Sequence, residues 1–251
     1  GFVEKPKEKE VLEKFRSSTA PLKARGIEHP EETCFLGSMG IYLFKRQALI
    51  DLLREDPRED FGKHLIPTQI QKGGVSAFLY GGYWEDIGTI EAFYEANLAL
   101  TDEPALFNCY DEKNVIFTGG YSLPGPKIRD CHIRRSIICE GSQIDGDEVT
   151  HSVLGTRSVV KKGSIIRDSY VMGNDYYSPP VPGCSRFPET FGIGEDCIIQ
   201  NAIIDKNAHI GRGVQLINKK RLTHYNGDNL YIRDGIIIVT RGATIPDGFV
   251  L

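Results

Sequence analysis

Three short clusters in this sequence combine residue types that can do chemistry. Trp84-Glu85-Asp86-Ile87-Gly88-Thr89 reads as the end of a strand running into a helix. At such an edge of an open α/β sheet a carboxylate can hold magnesium, and the helix start favours phosphate. An Asp86 that merely caps the helix satisfies the same spacing. Glu4-Lys5-Pro6 sets an acid beside a base. An ammonium partners phosphate and a carboxylate accepts hydroxyl hydrogen bonds, although such pairs are also common on surfaces. Gly37-Ser38-Met39-Gly40 holds a hydroxyl between two glycines that permit close backbone approach, or forms an ordinary turn into a strand.

The elements around these clusters follow from periodicity. Residues 1–6 read as a strand, 7–17 as a charged helix with Val11, Leu12 and Phe15 on one face, and 40–44 as a buried strand. Residues 47–55 carry a helical stripe of Leu49, Ile50, Leu52 and Leu53 that Pro57 stops. A further helix is expected over 61–71, kinked or ended by Pro67, then a strand over 75–80 and an amphipathic helix over 89–100 capped by Thr89. The alternation is α/β and supplies one layer of a sheet. Prolines and glycines then break all periodicity, so residues 103–131 read as an extended linker after a first domain over 1–102.

A new period of six begins near residue 132. Ile138 and Ile144 are followed, after a slip, by Leu154, Val160, Ile166 and Met172. An insertion over 175–190 intervenes, and the series resumes as Ile198, Ile204, Ile210 and Leu216. A second insertion, 218–230, precedes Val239, Ile245 and Leu251. Helices repeat near 3.6 residues and strands near 2, so a sustained six requires a coil of three short strands per turn, each turning one aliphatic inward. The reading is a left-handed parallel β-helix over 132–251. Lys161, Lys162, Lys206 and Arg241 fall beside hexad positions, where a cation is ordinarily solvated. His132, His151 and His209 do not cluster and read as surface histidines, although hexapeptide acyltransferases carry a catalytic histidine on such a wall.

Composition removes several function classes. Lys plus Arg number 30 against 34 Asp plus Glu, a net charge of −4 with no basic excess for nucleic acid. Apolar runs such as Ile236–Val239 fall far short of the ~20 residues that span a bilayer. The six cysteines form no CxxC pair and are read as mostly buried free thiols of a reducing compartment, with disulfides as the alternative.

Phe2-Val3-Glu4-Lys5-Pro6, Ser38-Met39-Gly40-Ile41-Tyr42, Asp60-Phe61-Gly62, Tyr83-Trp84-Glu85-Asp86-Ile87-Gly88-Thr89 and Ile203-Ile204-Asp205-Lys206-Asn207-Ala208-His209-Ile210-Gly211 occur in one order along the chain. Together with Ile232-Arg233-Asp234-Gly235-Ile236 they resemble ADP-glucose pyrophosphorylase, the glucose-1-phosphate adenylyltransferase of glycogen and starch synthesis. The resemblance implies the C-terminal part of a Rossmann-like α/β nucleotidyltransferase domain followed by a left-handed β-helix. It implies that ATP and glucose 1-phosphate give ADP-glucose and pyrophosphate, with Mg2+ as cofactor. Glu4, Lys5 and Ser38 would hold the sugar phosphate, Asp86 would be one of two metal-binding aspartates, and Lys206 would match an activator-binding lysine. Arg241 stands where the family has a second activator lysine, so its fork geometry alters which anionic effector fits. Thr118-Gly119-Gly120-Tyr121-Ser122 departs from the family too, lacking a glutamine and an arginine offered to anions there.

The family's Gly-rich ATP loop and first metal aspartate lie upstream of the strand at residues 1–6, so the expectation is a piece that does not turn over alone. The resemblance also implies a homotetramer or heterotetramer, in the cytoplasm or alternatively a plastid. The rival readings are another sugar-1-phosphate nucleotidyltransferase, a non-catalytic regulatory subunit and a hexapeptide acyltransferase.

Overall fold

The helices expected in the first hundred residues form, but the expected strands do not. The computed structural model describes residues 1–28, 31–120, 122–178 and 190–251, which divide into two compact units, Gly1–Trp84 and Glu85–Leu251. The first unit runs α1 (Lys9–Lys14), β1 (Arg16–Ser18), α2 (Ala20–Lys23), β2 (Thr33–Phe35) and α3 (Arg46–Glu55). A π-helical turn over Phe61–Leu65 then leads into α4 (Ile66–Lys72). Asp60 caps the π turn by accepting from the Lys63 backbone N–H at 2.9 Å. Pro67 does not end the helix, which changes from π to α just before it. It lies in the first turn of α4, where a missing N–H costs nothing. Leu22, Leu52, Leu65 and Ile66 are the buried aliphatics of this unit.

Residues 1–6, 40–44 and 75–80 were expected as strands, and none of them is one. A strand persists only when a neighbouring backbone takes its N–H and C=O groups. Among the described residues of this unit only β1 and β2 pair, antiparallel, so those runs gain no ladder. The aliphatics meant for a buried sheet face solvent instead, with Leu43 fully exposed and Ile41 70% exposed.

The second unit opens with α5 (Ile90–Ala99), where the Thr89 hydroxyl accepts from the Ala92 N–H at 3.1 Å as expected. Residues 101–120 and 122–126 carry no helix or strand. The coil then begins at β3 (Lys127–Ile128), inside the stretch read as linker. It continues through β4 (His132–Ile138), β5 (Gln143–Ile144), β6 (Glu148–Leu154), β7 (Val159–Val160) and β8 (Ile165–Val171). After the first insertion follow β9 (Gly192–Ile193), β10 (Ile198–Ile204), β11 (His209–Ile210) and β12 (Gln215–Leu216). The second insertion contributes a hairpin of β13 (His224–Asn226) and β14 (Leu230–Arg233). The coil closes with β15 (Ile236–Val239) and β16 (Thr244–Ile245).

Successive coils pair in parallel. The short strands stack as β3-β5-β7-β9-β11-β16, and the long ones as β4-β6-β8-β10-β15. Each seven-residue strand turns a corner at its fourth residue, which takes a left-handed backbone: Arg135, His151, Asp168 and Asn201 have φ of 47°, 45°, 45° and 54°. One strand therefore serves two faces, and each coil sends three aliphatics inward. Ile144, Val149 and Leu154 are followed by Val160, Ile166 and Val171, and then by Ile193, Ile199 and Ile204, all buried.

The sixes hold for Leu154, Val160, Ile166, Ile204 and Ile210 and slip at two places. Val171, not Met172, joins the core, and Ile199, not Ile198, is fully buried. The cause is the corner: it consumes one residue, so the step across a long strand is five. The corner also leaves N–H groups off the ladder, and serines stacked beside it accept them. Ser136 accepts from Ser152 N at 3.3 Å, Ser152 from Ser169 N at 3.1 Å, and Ser169 from Ala202 N at 3.3 Å. Each of these hydroxyls in turn donates to the carbonyl two residues earlier. At another corner the coils touch backbone to backbone. A Cβ on Gly173, whose φ is +79°, would lie 2.1 Å from the Thr156 carbonyl oxygen. No helix among the described residues is long and apolar enough to cross a membrane.

Candidate functional site

In the first unit two of the predicted residues meet around an aromatic stack. The Tyr42 ring stacks on Phe61 with centroids 6.4 Å apart, and its hydroxyl lies 3.2 Å from Ser38 Oγ. Ser38 Oγ also accepts from the Gly40 N–H at 3.2 Å, which fixes the hydroxyl within a tight turn. On the other side, the Glu4 carboxylate lies against Gly62, the residue after Phe61, so closely that a Cβ there would stand 2.5 Å from Oε2. Glycine is what lets the carboxylate approach the π turn. Lys5 follows with φ 41°, a left-handed conformation that costs a non-glycine residue on the order of 1 kcal/mol, and its side chain is exposed. Asp60 and Lys63 border the same turn. The Lys63 backbone N–H, with the Lys63 charge nearby, holds the Asp60 carboxyl below the ordinary carboxylate range. The result is a hydroxyl, a carboxylate and an ammonium beside one aromatic stack. Tyr42, Phe61 and Gly62 were not named as site residues. The sequence signal was there in Asp60-Phe61-Gly62, since an aromatic followed by glycine marks a place where side chains stack and backbone is approached.

Asp86 belongs to the second unit. Its Oδ1 accepts from the Gly88 N–H at 3.1 Å, a local turn, and Thr89 is the residue that caps α5. Helix capping is therefore not the task of Asp86. The strand expected to precede it is absent. Magnesium at phosphoryl sites takes one or two carboxylates and completes its shell with phosphate and water, and an exposed carboxylate fits that as a single ligand. Among the described residues no group of three metal-ligating side chains occurs.

Lys206 and Arg241, distant in sequence, converge. The β8, β10 and β15 strands lie side by side, so the corners that follow them stack at the spacing of adjacent strands. Asp175 follows the first corner, Lys206 and Asn207 the second, and Arg241 the third. Lys206 Nζ lies 2.8 Å from Asp175 Oδ1, and the Arg241 guanidinium donates to Asp175 Oδ2. Asn207 Nδ2 donates to that same oxygen at 2.9 Å, while the Asp175 N–H donates to Asn207 Oδ1 at 2.8 Å. The Lys206 hydrogen bond leads the effects that hold the Asp175 carboxyl below its usual range. These two cations are paired rather than merely solvated, and Asp175 is a residue the sequence reading passed over as the start of an insertion.

Of the three histidines, His151 is not an isolated surface residue. Its Nδ1 lies 2.7 Å from Asp168 Oδ1, and its Nε2 3.8 Å from Asp102 Oδ1. Arg135 also pairs with Asp102. The Tyr94 hydroxyl of α5 sits 2.6 Å from the Asp168 carbonyl oxygen and 2.9 Å from Asn201 Oδ1. Tyr94 and Leu98 pack on Ile203 and Ile236, and Phe93 on Tyr170 with centroids 5.6 Å apart. The left-handed corner column is thus the seat of α5, and His151 serves it. Cys34, Cys109, Cys131, Cys139 and Cys197 are free thiols, as expected, but of these only Cys197 is buried and Cys109 is exposed, against the expectation of mostly buried thiols; Cys184 lies outside the described residues. Burial pushes Cys131, Cys139 and Cys197 up, so none of these three is poised as a thiolate nucleophile.

Comparison with known proteins covers both parts of the chain. Residues 1–103 match the family model described as nucleotidyl transferase. Residues 121–250, more than half of the chain, match the one described as the GLGC left-handed parallel β-helix domain. The parallel coil and its three inward columns fit the second match, and the chain belongs to the GLGC left-handed parallel β-helix family, in the ADP-glucose pyrophosphorylase-like group, with a nucleotidyl transferase domain preceding the β-helix.

Proposed function

We propose that the chain is part of a glucose-1-phosphate adenylyltransferase. The observation that carries this reading is the meeting of Glu4 and Ser38 at the Tyr42–Phe61 stack, with the exposed Lys5 next to Glu4 in the chain. A hydroxyl, a carboxylate and an ammonium beside aromatic rings suit a phosphorylated sugar: the ring face packs on aromatic carbon, the hydroxyls bond to oxygen, and the phosphate meets the cation. In the reaction, a phosphate oxygen of glucose 1-phosphate attacks the α-phosphorus of ATP. The new P–O bond forms as the bond to the β-phosphate breaks, and pyrophosphate leaves with the electron pair. Lys5 fixes the attacking phosphate and offsets its charge. Glu4 accepts sugar hydroxyl hydrogen bonds, and Ser38 contacts the ring, its hydroxyl oriented by Tyr42 and Gly40. Positioning of this kind supplies most of the catalysis in phosphoryl chemistry. Magnesium, when bound, neutralises charge on the phosphates, and Asp86 is the residue of this chain that would hold it. Lys206 and Arg241 form the site of an anionic effector, their shared position on one carboxylate supporting that role.

The test is nucleotide and sugar preference in the full-length protein. ATP with glucose 1-phosphate should turn over faster than UTP, GTP or dTTP, and faster than ATP with mannose 1-phosphate. Preference for another pair would replace the adenylyl assignment. Saturable acetyl-CoA binding with no pyrophosphate release would move the chain to the acyltransferases.

A further inference from the structure

The pairing of Lys206 and Arg241 has a third member that belongs to the chain itself. Asp175 places one carboxylate oxygen on Lys206 and the other on Arg241, so it occupies the position between two cations that an external anion would take. It does so from the first residue of the insertion, immediately after the Gly173 corner. Its side chain is 22% exposed, and that of Arg241 61% exposed, so the pair opens to solvent through the arginine. Among the described residues another nearby carboxylate is Asp205, whose Oδ1 accepts from the Lys206 backbone N–H at 2.6 Å. One carboxylate on two cations leaves donors to spare, since Lys has three and Arg five. A phosphate brings up to two charges and three acceptor oxygens, so it satisfies this donor set better than a carboxylate does.

We propose that Asp175 is a built-in counter-ion of the Lys206–Arg241 site, and that a phosphate-type anion binds there by displacing the Asp175 carboxylate. This rests on the reading of Lys206 and Arg241 as an effector site. Asn207 gives the exchange a hinge: its amide holds both the Asp175 backbone N–H and one carboxylate oxygen, so the backbone stays anchored when the carboxylate leaves. Two residues further on, Tyr177 donates to the Gly141 carbonyl at 2.9 Å and lies under the Arg157 guanidinium, so these ties hold the segment when the Asp175 carboxylate leaves. The site is therefore a switch between an internal and an external anion, and its affinity for phosphate is set low by its own carboxylate.

The experiment is calorimetric titration of the protein with inorganic phosphate, at one fixed ionic strength, for wild type, Asp175→Asn, Asp175→Ser and Lys206→Ala. Asp175→Asn keeps size and can keep its contact with Asn207, and Asp175→Ser gives a second uncharged variant should the amide perturb folding. Removing the competing charge should tighten phosphate binding about tenfold or more in both, while Lys206→Ala should weaken it. Unchanged or weaker binding in both Asp175 variants, with Lys206→Ala still weakening it, would overturn the built-in counter-ion and leave the effector site standing. No phosphate binding to wild type or to either Asp175 variant, in protein that melts normally, would overturn both.

Discussion

Aspartate at position 199 should cripple the β-helix, and aspartate at position 198 should be tolerated. The two isoleucines are adjacent in β10, yet Ile199 is fully buried while Ile198, beside Ile165 and Gln215, is only half-buried. Ile199→Asp forfeits the burial of an isoleucine, about 1.5–3 kcal/mol, and adds the cost of desolvating a carboxylate, itself several kcal/mol. The sum rivals the ~5–15 kcal/mol that holds a native domain together. At about 2–4 °C per kcal/mol for a domain this size, the melting temperature should fall by more than about 10 °C. Ile198→Asp leaves its carboxylate in reach of water and should cost about 1–2 kcal/mol. The sign of the pH dependence separates the two further. A buried carboxyl has its folded pKa raised, so the Ile199→Asp penalty is smallest below the unfolded value of about 3.9 and grows as pH rises through the folded value. The Ile198→Asp penalty should be nearly flat with pH. Thermal melts by circular dichroism at several pH values would measure both. Equal damage from the two substitutions would mean that the five-residue step across the corner is wrong.

In the full-length protein, Lys5→Ala should raise the glucose 1-phosphate KM by roughly ten- to a hundred-fold, the worth of one charge-assisted phosphate contact, with the ATP KM nearly unchanged. Steady-state kinetics reads this directly, and an unaltered KM would remove Lys5 from the site. Asp86→Asn should lower kcat by orders of magnitude across a magnesium titration while the melting temperature holds, because asparagine can still accept from Gly88 and Thr89 remains the cap. Near-normal turnover would leave Asp86 as a turn residue only. The Arg167 guanidinium beside Glu148 holds that carboxyl down to about 2, below its unfolded value of about 4.3. The stabilisation is therefore present above about pH 4.3 and lost as pH falls toward 2, so the melting-temperature gap between wild type and Glu148→Gln should close over that window.

The β-helix was written in the sequence because its signal is redundant: an aliphatic recurs on every face of every coil, and a slip of one residue at Met172 or Ile198 leaves the period intact. What sequence spacing could not show was the corner, since Arg135, His151, Asp168 and Asn201 share a backbone conformation but no side-chain type. The antiparallel hairpin of the second insertion did have a signal, Asn226-Gly227 and Asp234-Gly235, dipeptides suited to tight hairpin turns. The strands expected in the first unit failed for the opposite reason. An apolar run states that it wants burial and not which neighbour provides it, and residues 40–44 and 75–80 find no ladder among the described residues. Candidate residues were visible by type, as Glu4, Ser38, Lys206 and Arg241 show. Their assembly depended on residues with no motif of their own, Gly62 and Asp175.

A solenoid is close to one-dimensional, each coil resting only on the coil before and the coil after, so its free energy resolves into nearest-neighbour terms and any coil can fray without the whole unfolding. The Asp175, Lys206 and Arg241 side chains come from three consecutive coils, and the Asp175–Arg241 bond skips across the intermediate one. It makes opening of one coil felt by the next but one, a longer-range cooperativity than strand pairing supplies. Amide exchange should report it: weakening that three-way link should speed hydrogen exchange in β8, β10 and β15 together, rather than in one coil alone.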